Sequence, residues 1–408
     1  MTLNNTNAES ILKEIYTPEL IKGMIYPSNP FFAMVSKNKN FGGKYKVIPL
    51  KYGNPQSRSA SSSEAAAQVA AASSKLVDFN LTRVSDYAFG AVQHETLKAS
   101  RGNSSAYVEA LKLETDGIIH ALERSIATSL FRSREGWIGQ VNAEPTEAAT
   151  TVITLKEPED VVNFEVGQKV NIWSAASAGT QRNFDGSVTG ALISAVDRSA
   201  GTITVAATYN ASGTIAANDY IFLAGDRGVR MAGLLDWIPP SAPSATAFYG
   251  VDRSVDSVRL GGLRHDGSAQ TIEEALIDLA SKIAREGGKP DTCFLSFKKY
   301  AELEKSLSSK VVYCDVEPME GIGFRGLVVN GPRGPIKVLP DQNCPNAYAW
   351  MLTLDTWALH SIGEPVSLFD EDGKVILRDA PNDAVNFYAY FYGNLACNAP
   401  GWNGILSF

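Results

Sequence analysis

The sequence predicts an α+β protein, and three stretches carry that prediction. Ser104 to about Ser133 keeps helical periodicity over an unusual length. Residues 143–228 hold short runs rich in Val, Ile and Thr between turn-rich segments. Residues 229–361 mix capped helices with strands.

In the first stretch, Val108, Leu111, Ile118, Leu122, Ile126 and Leu130 fall on one stripe of a helix, the core of a long spine. Glu109, Lys112, Asp116, Glu123 and Arg124 cover its other faces. Ser104 or Ser105 can cap the start, and Gly136 follows the end. About 28 residues at 1.5 Å each make a rod about 42 Å long. Gly117 in mid-helix is unfavourable by about 1 kcal/mol against Ala, which predicts a bend or close packing there.

Ahead of the spine, residues 1–36 read as an arm: a polar start, a short helix from Ser10 to about Ile15, then a segment broken by Pro18, Pro27 and Pro30. Ile21, Met24, Ile25, Phe31, Phe32 and Met34 are too apolar for a free tail, so the arm lies across its own subunit or another. Residues 37–80 read as a long hairpin. Tyr45, Val47, Ile48 and Leu50 mark one strand and Val77, Phe79 and Leu81 the other, around a Ser/Ala tip predicted to be floppy. An isolated two-stranded hairpin is marginal in water, so this one should pack on a partner. Lys37, Lys39, Lys44, Lys46, Lys51 and Arg58 cluster there, either as a solvated face or as a contact with acidic surface on a neighbour.

After the spine, TVITL, QKVNIW, ALISAV, GTITVA and DYIFLA suggest a small β-barrel or sandwich inserted as a module over 143–228. In 229–361, Thr271 and Glu274 form a capping box ahead of a helix with Ile272, Leu276, Leu279 and Ile283 on one face and Gly287 as its stop. Ser296 caps a second helix bearing Tyr300, Leu303 and Leu307. Strands RGLVVN, PIKVL, NAYAWML and TWALHSI follow, the first two meeting at Gly331-Pro-Arg-Gly334. A hairpin signal at Asp372-Gly373 introduces the last strands, 374–397.

With 408 residues and 44% hydrophobic content, the chain can bury a sizeable core in two or three domains. A net charge of −7 argues against a broadly basic nucleic-acid binder. The start has no basic end followed by an apolar run, and no stretch of 18 apolar residues occurs, so neither a signal peptide nor a membrane helix is expected. Cys293, Cys344, Cys397 and Cys314 lack C-x-x-C spacing and read as reduced thiols.

Catalytic, cofactor and metal motifs are not found. Gly321-Ile-Gly323-Phe-Arg-Gly326 matches G-x-G-x-x-G but is followed by a strand, so it reads as a glycine loop. Histidines 94, 120, 265 and 360 form no ligand array, and Asp370-Glu-Asp-Gly373 lacks the spacing of a calcium loop. Neither a G-x-S-x-G elbow nor a P-loop is present.

Arm, hairpin, spine, α/β domain and returning strands occur in the order of the Hong Kong 97-type capsid fold, and the chain resembles the major capsid proteins of tailed double-stranded-DNA bacteriophages. Four strings add to the likeness: Pro290-Asp-Thr-Cys-Phe-Leu295, Lys299-Tyr-Ala-Glu-Leu303, Gly331-Pro-Arg-Gly-Pro-Ile-Lys-Val338 and Asn398-Ala-Pro-Gly-Trp402. The resemblance implies an N-terminal arm (1–36), an extended loop (37–80), a peripheral domain (81–142 and 362–408) holding the spine, and an axial domain (229–361). The 143–228 module is an insertion that the minimal fold lacks.

The resemblance further implies a non-enzymatic virion protein that assembles in the bacterial cytoplasm. Hexamers and pentamers of the chain would enclose double-stranded DNA without binding it specifically, without cofactors and without a membrane. Its implied partners are a portal, possible decoration proteins and a separate scaffolding protein, because the arm is too short for a fused scaffold. Lys44, Tyr45, Lys46, Val47, Lys51, Arg58, Val77 and Phe79 are the expected contacts of the extended loop with an adjacent subunit. No motif fixes the residues of the family's lysine–asparagine cross-link. Two alternatives stay open: an encapsulin-like shell enclosing protein cargo, and an enzyme carrying a carbohydrate-binding β-module.

Overall fold

The computed structural model describes residues 29–69, 73–93, 104–307, 327–370, 377–379 and 384–408. Strands β1 (Ser36–Asn38), β2 (Lys46–Gly53), β3 (Lys75–Leu81) and β4 (Val84–Gln93) precede the spine helix Ser104–Phe131. After it come β5 (Trp137–Gln140), β6 (Thr151–Thr154), β7 (Lys169–Trp173), β8 (Gly190–Asp197), β9 (Thr202–Val205) and β10 (Tyr220–Leu223). A third group has β11 (Leu263–Asp266), helix Ile272–Arg285, β12 (Thr292–Leu295), helix Phe297–Leu307, β13 (Leu327–Gly331), β14 (Gly334–Pro340) and β15 (Tyr348–Leu352). The chain closes with β16 (Trp357–Ser361), β17 (Ser367–Leu368), β18 (Leu377–Asp379), β19 (Ala384–Cys397) and β20 (Gly404–Ser407). No helix among the described residues is long and apolar enough to cross a membrane.

The spine packs on a sheet built around the fourteen-residue β19, which pairs with β4 on one side and with β16, β17 and β18 on the other. Ile118, Leu122, Ile126 and Leu130 are buried on the helix face that meets this sheet, joined by Ile119. The side chains of Val108 and Leu111 lie outside the described residues. A Cβ at Gly117 would meet nothing within 4 Å, so close packing does not explain that glycine. Glu123, expected on an outer face, is buried instead, because the end of the arm lies across it.

That arm contact is with the chain's own subunit. Phe31 sits 5.4 Å from the Phe131 ring and 5.1 Å from the Phe294 ring. Around it, Asn29 Nδ2 donates to Glu123 Oε1 at 2.8 Å, Asn343 Nδ2 to Asn29 Oδ1 at 2.8 Å, and Phe31 N to Asp341 Oδ2 at 3.3 Å. Arm, spine and axial residues thus share one buried polar cluster, which low dielectric makes costly to leave unpaired. Residues 1–28 of the expected arm lie outside the described residues.

Burial has a consequence for stability against pH. It raises the Asp341 carboxyl from the ordinary 3.8 to about 6, against the lowering effect of the Asn343 and Phe31 N–H groups. Asp236, which accepts a hydrogen bond from Arg134 N, is raised to about 6 for the same reason. A carboxyl with a raised folded pKa gains a proton on folding. Its contribution is therefore most favourable below the unfolded pKa and is lost as pH rises through the folded one. For Asp341 this window, 3.8 to about 6, corresponds to a loss of about 3 kcal/mol. Thermal unfolding of Asp341→Asn should show a smaller fall in melting temperature between about pH 4.5 and about pH 7 than the parent shows. Equal slopes would mean that Asp341 ionises in the folded subunit as it does in the unfolded chain.

The second unit is the insertion, with its own core of Phe164, Ile172, Phe184, Ile193, Ile203 and Ile221. Its strands run β5-β10-β7-β8-β9-β6, all antiparallel. Asn142 N donates to Thr154 O and Lys156 N to Gln140 O, both at 2.9 Å, which links β5 back to β6 and closes a small barrel. The module begins at Trp137, earlier than the expected 143, because β5 is one of its staves. Its two ends meet: Gly228 N donates to Glu135 O at 3.0 Å and Arg230 N to Arg134 O at 3.2 Å. Gly136 is needed there, since its φ is +83° and a Cβ would sit 2.6 Å from Asp226 O. The barrel is tied to the spine by Arg132–Asp160 and Arg124–Glu165, and to the helix Phe297–Leu307 by Lys298–Glu159.

The third unit is a mixed sheet in the order β11-β20-β15-β12-β14-β13. Leu276, Leu279, Ile283 and Leu303 bury the faces of its two helices, and the Thr271/Glu274 capping box forms. Two sequence boundaries change here. β16, expected in this sheet, pairs antiparallel with β19 of the spine sheet, Trp357 opposite Cys397. The C-terminal end, expected beside the spine, supplies β20 between β11 and β15, where Ile405 and Leu406 are buried.

Candidate assembly surfaces

β2 and β3 pair antiparallel with Ile48 opposite Phe79 and Lys51 opposite Leu76. Strand periodicity then divides the hairpin into two faces. Ile48, Phe79 and Leu81 are buried in the subunit's main core, with Leu50, Tyr52 and Val77 half-buried against it. Phe79 lies 5.3 Å from the Trp237 ring and 6.3 Å from Phe248. At the base, Asn80 N donates to Tyr249 O at 2.9 Å. Tyr249 is a bulky residue at φ +50°, a conformation that persists only where surrounding contacts enforce it. Asn394 enforces it here: its Nδ2 donates to Tyr249 Oη at 2.8 Å and to Thr82 O at 2.9 Å.

The other face points away from the core. Val47 is 49% exposed and Leu76 66% exposed, with Pro49, Lys51 and Asp78 beside them. Phe79, expected to touch an adjacent subunit, is therefore an internal core residue, and Val77 half-faces the same core. Alternation places both opposite to Val47. The expected floppy tip contains a short helix, Ser62–Gln68, with no buried residue.

The basic cluster separates in the same way. Lys37 donates to Phe32 O and Ala33 O, and Lys39 pairs with Glu364, so both are engaged within the chain. Lys44 sits 5.1 Å over the half-exposed Tyr45 ring. Lys51 and Arg58 are exposed and Lys46 half-exposed.

Beside the hairpin, the face of the β4–β19 pair turned away from the spine carries a row of aromatic side chains: Tyr87, Phe89, Tyr388, Tyr390 and Tyr392. Sequence reasoning read Tyr87 and Phe89 as strand residues but not this row. The signal available was the alternation Tyr388-x-Tyr390-x-Tyr392.

Other candidate chemistry does not converge. A groove of about 430 Å³ lies between the spine, β4 and the barrel. Its arginines are paired: Arg230 with Asp86 at 2.7 Å, Arg124 with Glu165, and Arg132 with Asp160. No group of three or more His, Cys, Asp or Glu suited to a metal occurs among the described residues. Cys293, Cys344 and Cys397 are buried free thiols, and burial pushes Cys293 and Cys397 up to about 12. Such thiols are inert. The glycine loop 321–326, Cys314, His94 and Asp372-Gly373 lie outside the described residues.

Two comparisons bear on what these surfaces serve. The capsid chain of cyanophage A-1(L) superposes with a TM-score of 0.52 at 12% identity, over 97% of this chain and 99% of that one, so the two share a fold. Residues 224–373 match the family model of the SU10 major capsid protein. The chain is a phage major capsid protein. Its architecture is the Hong Kong 97-type capsid fold, here with a barrel inserted after the spine. A structure from Mycobacterium phage Adephagia aligns with this capsid protein at 11% identity over 100% and 98% of the two chains, TM-score 0.43. An encapsulin complex from Synechococcus elongatus aligns at 8% identity over 100% and 96%, TM-score 0.41. No curated protein sequence matches significantly. Capsid proteins assemble from many copies of themselves, so this one is a virion capsid component.

Proposed function

We propose that copies of this chain, as hexamers and pentamers, build the closed icosahedral head that encloses double-stranded DNA in a tailed phage. The observation that carries this reading is the divided hairpin. One face is anchored in the subunit core, while the other holds Val47, Pro49 and Leu76 in water. A closed shell repeats one set of contacts, and such a face gives every copy the same contact to offer. The role is structural rather than enzymatic. The barrel projects from the shell with both ends at one site, where it braces spine and axial domain through its ion pairs.

Assembly takes place in the host cytoplasm, with a separate scaffolding protein and a portal, and the barrel is available to a decoration protein. DNA is held without adhesion, because strong phosphate binding needs many Lys and Arg on one face and the chain carries a net charge of −7. Negative-stain microscopy of the purified full chain should show closed shells or rings of five and six subunits. Monomers alone at every concentration would overturn the proposal, and shells filled with protein cargo would replace it with a nanocompartment.

A further inference from the structure

Within the aromatic row on the spine sheet, Tyr87 and Tyr392 meet through their hydroxyls. Register places Tyr390 opposite Tyr87 and Ser85 opposite Tyr392, so Tyr87 and Tyr392 are diagonal neighbours across β4 and β19. Diagonal positions lie about 7–8 Å apart, within reach of aromatic side chains. The two rings stand nearly edge to face at 5.8 Å, and Tyr87 Oη donates to Tyr392 Oη at 3.2 Å. Two phenols joined in this way bring together the ring carbons that flank each oxygen. Tyr87 is 47% exposed and Tyr392 half-buried, so small solutes reach the pair and the Tyr87 ring has room to turn. Tyr390 lies 4.9 Å from Tyr392, and Tyr388 6.3 Å from Tyr390. Oxidation of cysteine follows thiolate character and exposure, and Cys293, Cys344 and Cys397 are buried thiols that offer neither.

We propose that Tyr87 and Tyr392 form an oxidative cross-linking site, at which a one-electron oxidant couples them into dityrosine. This goes beyond the assembly reading and does not rest on it, because the site is complete in one folded chain. Each phenol gives one electron to the oxidant and one hydroxyl proton to solvent, Tyr87 passing its proton by way of Tyr392 Oη. The two radicals join by a bond between ring carbons that flank the oxygens. The hydrogens on those carbons then move to the oxygens, which restores two phenols and leaves the product lighter by two hydrogen atoms. Holding two reacting groups side by side makes their reaction effectively unimolecular, so coupling within the chain outruns coupling between copies. Tyr388 and Tyr390 widen the target: an electron lost from either ring is replaced from the pair over short ring-to-ring steps. The new bond ties β4 covalently to β19, on the face of the sheet turned away from the spine.

The test exposes the dilute full chain to a photo-oxidised ruthenium complex, with persulfate as the final electron acceptor. The chain should gain dityrosine fluorescence. Digestion should release peptides joined at Tyr87 and Tyr392, lighter by two hydrogen atoms than their sum. In a mixture of isotopically light and heavy chains, each joined product should be wholly light or wholly heavy. Tyr392→Phe, which removes only a hydroxyl, should leave thermal unfolding unchanged and abolish the joined product, whereas Tyr390→Phe should retain it. Joined peptides that mix light and heavy chains, or that link Tyr392 to Tyr390 or Tyr388 in place of Tyr87, overturn the assignment. An undiminished dityrosine yield from Tyr392→Phe overturns it as well. So does a parent chain that gains no dityrosine under conditions that couple free tyrosine.

Discussion

Leu122→Asp is expected to abolish the folded subunit rather than to weaken assembly. Leu122 lies midway along the spine and is buried between it and the β4–β19 sheet. A carboxylate placed there must stay ionised in a poor solvent or take up a proton, and it also leaves the volume of a leucine partly unfilled. Such substitutions exceed about 4 kcal/mol, a large part of the 5–15 kcal/mol that ordinarily separates folded from unfolded protein. The variant should be insoluble or show no cooperative thermal transition. Leu122→Ala, which only empties space, should stay folded and lose about 2–5 kcal/mol. A soluble Leu122→Asp subunit with a sharp transition would show that this face of the spine is reserved for partners.

The spine was legible because its pattern is local. Four of the six stripe residues have described side chains, and each lies in the core. The capping box at Thr271 and the five short runs of the barrel were legible for the same reason: each is written within a few adjacent residues. Glu123 shows the limit of that kind of reading. Helical periodicity assigns it to a solvent face, and only the arm, 94 residues away in sequence, turns that face inward through Asn29.

Sheet membership was less legible, because it is decided between segments and not within them. Trp357–Ser361 carries the same apolar alternation as the strands before it. Nothing local says that its partner is β19 rather than β15. The closing residues Ile405 and Leu406 likewise read as apolar without saying which sheet they complete. For the candidate surfaces, alternation gave the strands of the hairpin but not which phase faces the core. That choice is made by Trp237 and Phe248, more than 150 residues further on, which receive Phe79.

Val47→Glu combined with Leu76→Glu is expected to leave the subunit folded and to eliminate closed shells. Both side chains stand on the outward face of the hairpin, one on each strand, where they touch no core residue. Surface replacements of this kind change stability by about 0.5 kcal/mol or less, and a glutamate at 76 opposite Lys51 adds an exposed ion pair of little weight. The subunit's thermal unfolding should therefore match the parent's. In a shell, the same two carboxylates would be pressed against an apolar partner in every copy. Burying an unpaired charge is heavily unfavourable, and a closed assembly repeats that penalty at each equivalent contact. Sedimentation and microscopy should find folded subunits or small oligomers where the parent gives shells. Phe79→Glu serves as the contrasting variant: it lies on the inward face, so it should unfold the subunit instead. Shells of normal size and yield from the double variant would refute the assembly role of the outward face. Loss of cooperative unfolding in it would mean that Val47 and Leu76 belong to the subunit's own core.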